Sequence, residues 1–147
     1  MTGKVQPIPA GYHSVTPYLV VRGVDRLIDF MQQAFGAVEK ERHTRPDGVV
    51  MHAELKVGDS IVMMGEAPEP SVAAPGHLYL YVEDVDRTYR RALDAGGTSV
   101  REPADQFYGD RSGGVKDPSG NTWWISTHVE DVPPEELERR QRAAQHG

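Results

Sequence analysis

The sequence contains no cysteine among its 147 residues. That excludes disulfide staples, thiol nucleophiles and thiolate metal sites, so packing and polar contacts must hold the fold. Positive charge is in deficit: 16 Lys and Arg face 22 Asp and Glu, for a formal net charge of −6. A nucleic-acid surface needs clustered basic residues, so no nucleic-acid partner is expected. The tightest basic group, Arg139-Arg140 with Arg142, lies in an acid-rich tail and reads as a solvated helix face. Long apolar runs are missing too. The opening stretch, MTGKVQPIPAGYHS, lacks an apolar signal core, and no later run approaches membrane-spanning length. No membrane partner is expected, and the expected location is cytoplasmic. What remains is a chain long enough for one domain or for two small modules sharing a core.

The chain states one pattern twice. Gly76 to Gly97, GHLYLYVEDVDRTYRRALDAGG, reads as a strand running into a helix. Its helix opens on the N-cap candidate Asp84, carries Val85, Tyr89, Ala92 and Leu93 at helical spacing, and stops at Gly96-Gly97. Tyr18 to Ala37, YLVVRGVDRLIDFMQQAFGA, has the same plan, with Val24, Leu27, Ile28, Met31 and Phe35 as its apolar stripe. The Val-Asp-Arg triplets at Val24 and Val85 set the copies 61 residues apart. That offset places Thr16 on His77, Tyr18 on Tyr79 and Met63 on Trp124.

Each copy reads strand, helix, strand, strand, strand. The expected organisation is an N-terminal arm over residues 1–13, a first βαβββ module over 14–66, a Pro-rich linker over 67–75, a second module over 76–128 and a tail helix over 129–147. In the first copy the strands are expected at about 14–21, 38–44 and a hairpin turning on Val57-Gly58-Asp59-Ser60. That turn pairs residue i with residue 117 − i, so Glu54 faces Met63 and His52 faces Gly65. Met51, Ala53, Leu55, Val57, Val62 and Met64 then share an apolar face, while Val50, His52, Glu54, Ile61 and Met63 share a mixed one. In the second copy strands are expected at 77–82, 98–101, 111–116 and 122–127, with Asp117-Pro118-Ser119-Gly120-Asn121 turning the last pair. One copy has a sheet face to cover and too few residues for a core of its own. The fold class expected is α+β, two βαβββ modules forming a curled mixed sheet. Joined edge to edge with helices outside, the sheets would enclose a cup receiving Thr16, Tyr18, His52, Glu54, Met63, His77, Tyr79, Tyr81, Arg111, Gly113 and Trp124. Tyr108, in the loop before the seventh strand, leans over that cup or into a partner. Trp123 falls on the opposite face with Ile125, as core. Gly113-Gly114 marks a close backbone approach by a ligand, or a bulge.

The pieces Thr16-Pro17-Tyr18-Leu19-Val20-Val21, Phe35-Gly36-Ala37, Met51-His52-Ala53-Glu54-Leu55, Tyr108-Gly109-Asp110-Arg111 and Asp117 through Trp124 together resemble the vicinal oxygen chelate superfamily. That superfamily includes glyoxalase I, extradiol dioxygenases and the fosfomycin- and bleomycin-resistance proteins; together the pieces look like its PhnB-like branch. The resemblance implies the glyoxalase fold, a small-molecule ligand and a homodimer. In metal-dependent members four ligands come from the first and fourth strands of each module. Those positions here hold Thr16, Met63, His77 and Trp124, of which His77 alone is a usual ligand. The expectation is therefore no metal cofactor. The alternative is a divalent ion on His77 with His52 and Glu54.

Two functions follow. The first is a small-molecule binding protein of sequestration or resistance type. In it Trp124 and the tyrosines stack on a planar or aromatic ligand and His77 or Glu54 orients it. The second is a glyoxalase-type metal-dependent lyase, isomerase or dioxygenase. In a metal-free catalytic variant His77 or Glu54 would shuttle a proton. The negative charge weakly favours a cationic ligand.

Overall fold

The computed structural model describes residues 5–146; the first four residues of the expected arm and the last residue of the expected tail lie outside them. Eight strands and three helices follow in order: β1 (Tyr18–Val21), α1 (Val24–Phe35), β2 (Val38–Thr44), β3 (Val50–Val57), β4 (Ser60–Glu66), β5 (His77–Tyr81), α2 (Val85–Asp94), β6 (Thr98–Asp105), β7 (Asp110–Lys116), β8 (Thr122–His128) and α3 (Pro134–His146). They form two four-stranded mixed sheets, ordered β1-β4-β3-β2 and β5-β8-β7-β6. In each, the first strand runs parallel to the last and the rest are antiparallel. The fold is α+β with two βαβββ modules.

The duplication is realised bond for bond. Tyr18 pairs with Met63 in the first sheet, and Tyr79 with Trp124 in the second. Each helix start is capped from the same place on the end of its own sheet. Glu66 accepts the backbone N–H groups of Gly23 and Val24, and the hydroxyl of Thr127, 61 residues on, accepts that of Val85. Asp84 adds its own cap by accepting from the Arg87 N–H at 3.1 Å. α1 ends where Gly36 turns left-handed at φ 66°, donating to Gln32, while Ala37 donates to Met31.

The apolar stripes of α1 and α2 pack against each other and against both sheets, giving one core. Phe35 meets Trp123 of the other module with ring centroids 4.8 Å apart, and Trp123 is 2% exposed. This arrangement corrects the expectation of sheets joined edge to edge with helices outside. The ladders stop at four strands on each side, and linker residue Ala74 bridges to Val20 on the outer edge of β1. Phe30 and Phe35 are surplus to covering their own sheet, and burying them against the second module draws the helices inward. The open face of each sheet is therefore turned away from the shared core.

Two strand ends also differ from the pattern. β6 continues past Arg101 to Asp105, because two register shifts let Pro103 sit in an edge strand without a ladder bond. β1 begins at Tyr18 rather than residue 14, although the Pro17 carbonyl still accepts from Met63. The Asp117–Asn121 turn is a buried polar knot. Asp117 accepts from the Ser119 and Asn121 backbone, the Asn121 amide and the Trp123 indole, and Asn121 accepts from Gly76 at the entry to β5.

Candidate functional site

The ladder of the second sheet decides which side chains share its open face. Gly114 pairs with Trp124, Ser112 with Ser126 and Asp110 with His128, and β5 places Tyr79 beside Trp124 and Tyr81 beside Ser126. Because strand side chains alternate, Asp110, Ser112, Trp124, Ser126, His128, His77, Tyr79 and Tyr81 lie together. Arg111 does not join them. It points to the helix side, where it donates two bonds to Asp86 of α2 at 2.9 and 3.0 Å and one to Asp105. This corrects its expected place in the cup, and Gly113 goes with it. The Gly113-Gly114 pair is likewise explained within the chain. A Cβ on Gly114 would stand 2.7 Å from the Trp124 ring, and one on Gly113 would stand 3.1 Å from Pro103.

At one end of this face the Trp124 indole N–H donates to Nδ1 of His77 at 3.2 Å, and the two rings lie nearly parallel. The Arg101 guanidinium covers the Trp124 ring at 5.2 Å. At the other end Asp110, 4% exposed, gathers three partners. Its Oδ2 accepts the hydroxyls of Tyr79 at 2.7 Å and Tyr81 at 3.0 Å, and its Oδ1 meets Nδ1 of His128 at 2.8 Å. Nε2 of His128 meets Asp131 at 2.7 Å. Burial by itself would raise the pKa of Asp110, but the bonds from Tyr79, His128 and Tyr81 outweigh it and hold the carboxyl below its ordinary value. The bonds from Asp110 and then Asp131 raise His128. Tyr79 is raised by burial and then by Asp110, with Tyr108 contributing from the loop above; Tyr81 is raised by its bond to Asp110. Ser112 and Ser126, bonded to each other at 2.9 Å, floor the space between the two ends. The rings of Tyr79 and Tyr81 stay largely exposed.

The open face of the first sheet carries its own polar group. Glu54 is 6% exposed, lies opposite Met63 and meets Nε2 of His52 at 3.0 Å. The Tyr12 hydroxyl donates to its other oxygen, and the Tyr18 hydroxyl reaches Nδ1 of His52 at 3.4 Å. Burial would raise Glu54, but the bonds from His52 and Tyr12 bring it below its ordinary value. Among the described residues no hydrogen bond or ring contact links this group to His77 or Trp124. One chain therefore presents two separate polar groups, one on the open face of each sheet.

The donors at the four metal positions do not suit a hard divalent ion. Trp124 donates rather than accepts, Met63 offers a thioether, Thr16 is a weak ligand, and His77 Nδ1 is taken by the indole. Elsewhere, Glu41, His52 and Glu54 bring three ligand atoms within 4.8 Å of one another. His52 and Glu54 do meet, but their third neighbour is Glu41 of β2 rather than His77.

Asp110, His128, Arg101, Tyr12 and Glu41 are the residues that pattern alone did not pick out. For the second sheet the signal was present: the Asp117–Asn121 turn fixes Lys116 opposite Thr122, which puts Asp110 opposite His128. Tyr12 precedes any periodic element and left no such mark.

A family model described as the Glyoxalase/Bleomycin resistance protein/Dioxygenase superfamily matches residues 11–125. The chain belongs to this superfamily. It is 36% identical over 136 residues to an uncharacterized protein of Mycobacterium tuberculosis (strain ATCC 25618 / H37Rv), covering 85% of this chain and 80% of that one. Among solved structures, TioX from Micromonospora sp. ML1 aligns with a TM-score of 0.68 at 27% identity, over 80% of this chain and 99% of TioX. The fosfomycin resistance protein FosX from Mesorhizobium loti aligns with a TM-score of 0.58 at 20% identity, over 78% of this chain and 90% of FosX, a likeness of fold.

Proposed function

We propose that this glyoxalase-superfamily protein binds a small planar or aromatic molecule, in a sequestering or resistance role, on the open faces of its sheets. The observation that carries this reading is the Trp124 indole held between His77 and Arg101, beside the exposed rings of Tyr79 and Tyr81. A flat ring with fixed orientation and polar neighbours at its rim takes a planar ligand at small entropy cost. In this reading Tyr108 closes over the same face, and Thr16, Tyr18, His52 and Met63 contribute the part of the site that lies on the other sheet. We take the functional unit to be a homodimer in which the open face of one copy's first module meets that of the partner's second. Residues 14–66 and 76–128 serve as the modules, 67–75 as linker, and the arm and tail flank them. The quoted motifs support a place in the PhnB-like branch. No helix among the described residues is long and apolar enough to cross a membrane. We propose a cytoplasmic location.

The test is quenching of tryptophan fluorescence by a panel of planar antibiotics. Saturable quenching is expected, and Trp124→Ala should weaken it about tenfold or more, whereas Trp123→Ala should act through stability instead. Failure of every planar compound to quench saturably would sink the proposal.

A second reading, a metal-dependent lyase, isomerase or dioxygenase, draws on the proximity of Glu41, His52 and Glu54. Two carboxylates and an imidazole are the donor types a divalent ion takes, and the ion would supply Lewis-acid chemistry there. Metal analysis of purified protein before and after chelation decides it: a stoichiometric ion that survives dialysis supports this reading.

A further inference from the structure

The polar group on the first sheet is closed by a residue from outside the sheet. Tyr12 belongs to the irregular stretch ahead of β1, whose apolar side chains Val5, Ile8 and Val15 are exposed. Gly11, His13 and Ser14, its immediate neighbours, are exposed too. Apart from the Pro17 carbonyl next to β1, which accepts from Met63, the stretch bonds to the sheet through the Tyr12 phenol. The hydroxyl of Tyr12 donates to the buried carboxylate of Glu54, and the Lys40 ammonium stands 3.8 Å from the centroid of its ring. Around that phenol lie a carboxylate acceptor, an imidazole already bonded to the same carboxylate, and a cation over the ring face. Those are the elements of a recognition site, and the molecule fills it with a residue of its own.

We propose that the Glu54–His52–Lys40 group on the open face of the first sheet is a binding site for a phenolic (hydroxyaryl) ligand, whose place Tyr12 takes as a built-in stand-in. The proposal rests on the reading that the open faces are ligand surfaces, and it names the group that one of them takes. The hydroxyl is the discriminating feature. A buried carboxylate deprived of a donor loses a bond that water replaces poorly, so an aryl ring without a hydroxyl would leave Glu54 short of a partner. The second sheet uses the same chemistry internally, where Asp110 holds the phenols of Tyr79 and Tyr81.

The probe is 4-fluorophenol, followed by fluorine NMR against full-length protein, with fluorobenzene as the ring lacking a donor. Tyr12→Ala, in an exposed stretch, should bind 4-fluorophenol about tenfold more tightly than the unaltered chain, because the competitor is gone. Adding Glu54→Gln should cost about tenfold or more of that affinity, and fluorobenzene should not bind. In the unaltered chain, saturating 4-fluorophenol should move the Tyr12 ring resonances toward those of a solvent-exposed tyrosine, a readout that needs no variant. Equal affinity of the Tyr12→Ala and unaltered chains, fluorobenzene binding as well as the phenol, or indifference to Glu54→Gln would each overturn the proposal. Loss of 4-fluorophenol binding on adding EDTA would overturn it too, since an ion on Glu41, His52 and Glu54 would then be the receptor. The readout is independent of Trp124. Phenol binding that persists in Trp124→Ala, with no quenching by planar antibiotics, would uphold this site while the stacking site on the second sheet fails.

Discussion

At the scale of single residues, the environment of Trp124 depends on what is missing beside it. Gly114 leaves the room the indole occupies, and a methyl group there would come within 2.7 Å of Cζ3 and 2.9 Å of Cε3. Gly114→Ala is expected to push the ring off His77, cost about 1–3 kcal/mol by overpacking, and shift the tryptophan emission. Gly113→Ala, whose contacts begin at 3.1 Å, should do less of each. Urea unfolding with emission spectra of both variants checks this, and equal effects would contradict the face assignment. His128 offers a second test, through pH. Its folded pKa is raised by Asp110 first and Asp131 second. The stabilisation it brings is therefore complete below the ordinary histidine value of about 6.5 and is lost as pH rises through the raised value. Asp110 acts in the opposite sense: its folded pKa is lowered, so its contribution is present above about 3.9 and is lost as acid protonates it. His128→Asn should flatten the fall in urea midpoint expected of the native chain above about pH 6.5, and should shrink the acid limb without abolishing it, since Tyr79 and Tyr81 still bond Asp110. An unchanged alkaline limb would show that the imidazolium adds nothing.

At the scale of elements, what the sequence discloses depends on how strongly a pattern is anchored. α1 runs over the predicted residues because five apolar positions and a terminal glycine agree on it. The β3–β4 ladder follows the predicted register because its two-residue turn leaves no freedom: Glu54 faces Met63 and His52 faces Gly65. β7 is different. Asp110-Arg111-Ser112-Gly113-Gly114-Val115-Lys116 has one large apolar side chain, so period-two reasoning has little to hold and predicts for Arg111 the face that belongs to Asp110. β6 runs past its expected end at Arg101 to Asp105, since the bulges that accommodate Pro103 leave no mark in composition. The polar group closed by Tyr12 was illegible because it joins an unpatterned stretch to a strand 42 residues away. The turn before β8 was legible as a turn, but not as an anchor. Asp117→Ala would remove four hydrogen bonds and leave the Trp123 indole and the Asn121 amide without an acceptor. The expected loss is on the order of 3 kcal/mol, read as a lowered urea midpoint together with loss of the near-ultraviolet dichroism of Trp123.

At the scale of the whole molecule, the inward helices have the largest effect. They use both apolar stripes to make one core, and leave the two polar faces on the outside. If a second copy completes the cup, binding and association are linked: ligand should raise the dimer population, and dilution should weaken apparent affinity. Analytical ultracentrifugation across concentration, with and without a quenching ligand, measures both. A monomer that quenches with undiminished affinity would remove the partner from the site. The same internal core bears on the stretch between the modules. Its exit is pinned by the Asn121 bond to Gly76, and its path crosses the β1 edge through the Ala74 bridge, while Glu69 to Ser71 remain exposed. A backbone cut there would sever continuity without removing the α1–α2 packing, so the halves are expected to stay locked together, neither able to cover its apolar stripe without its counterpart.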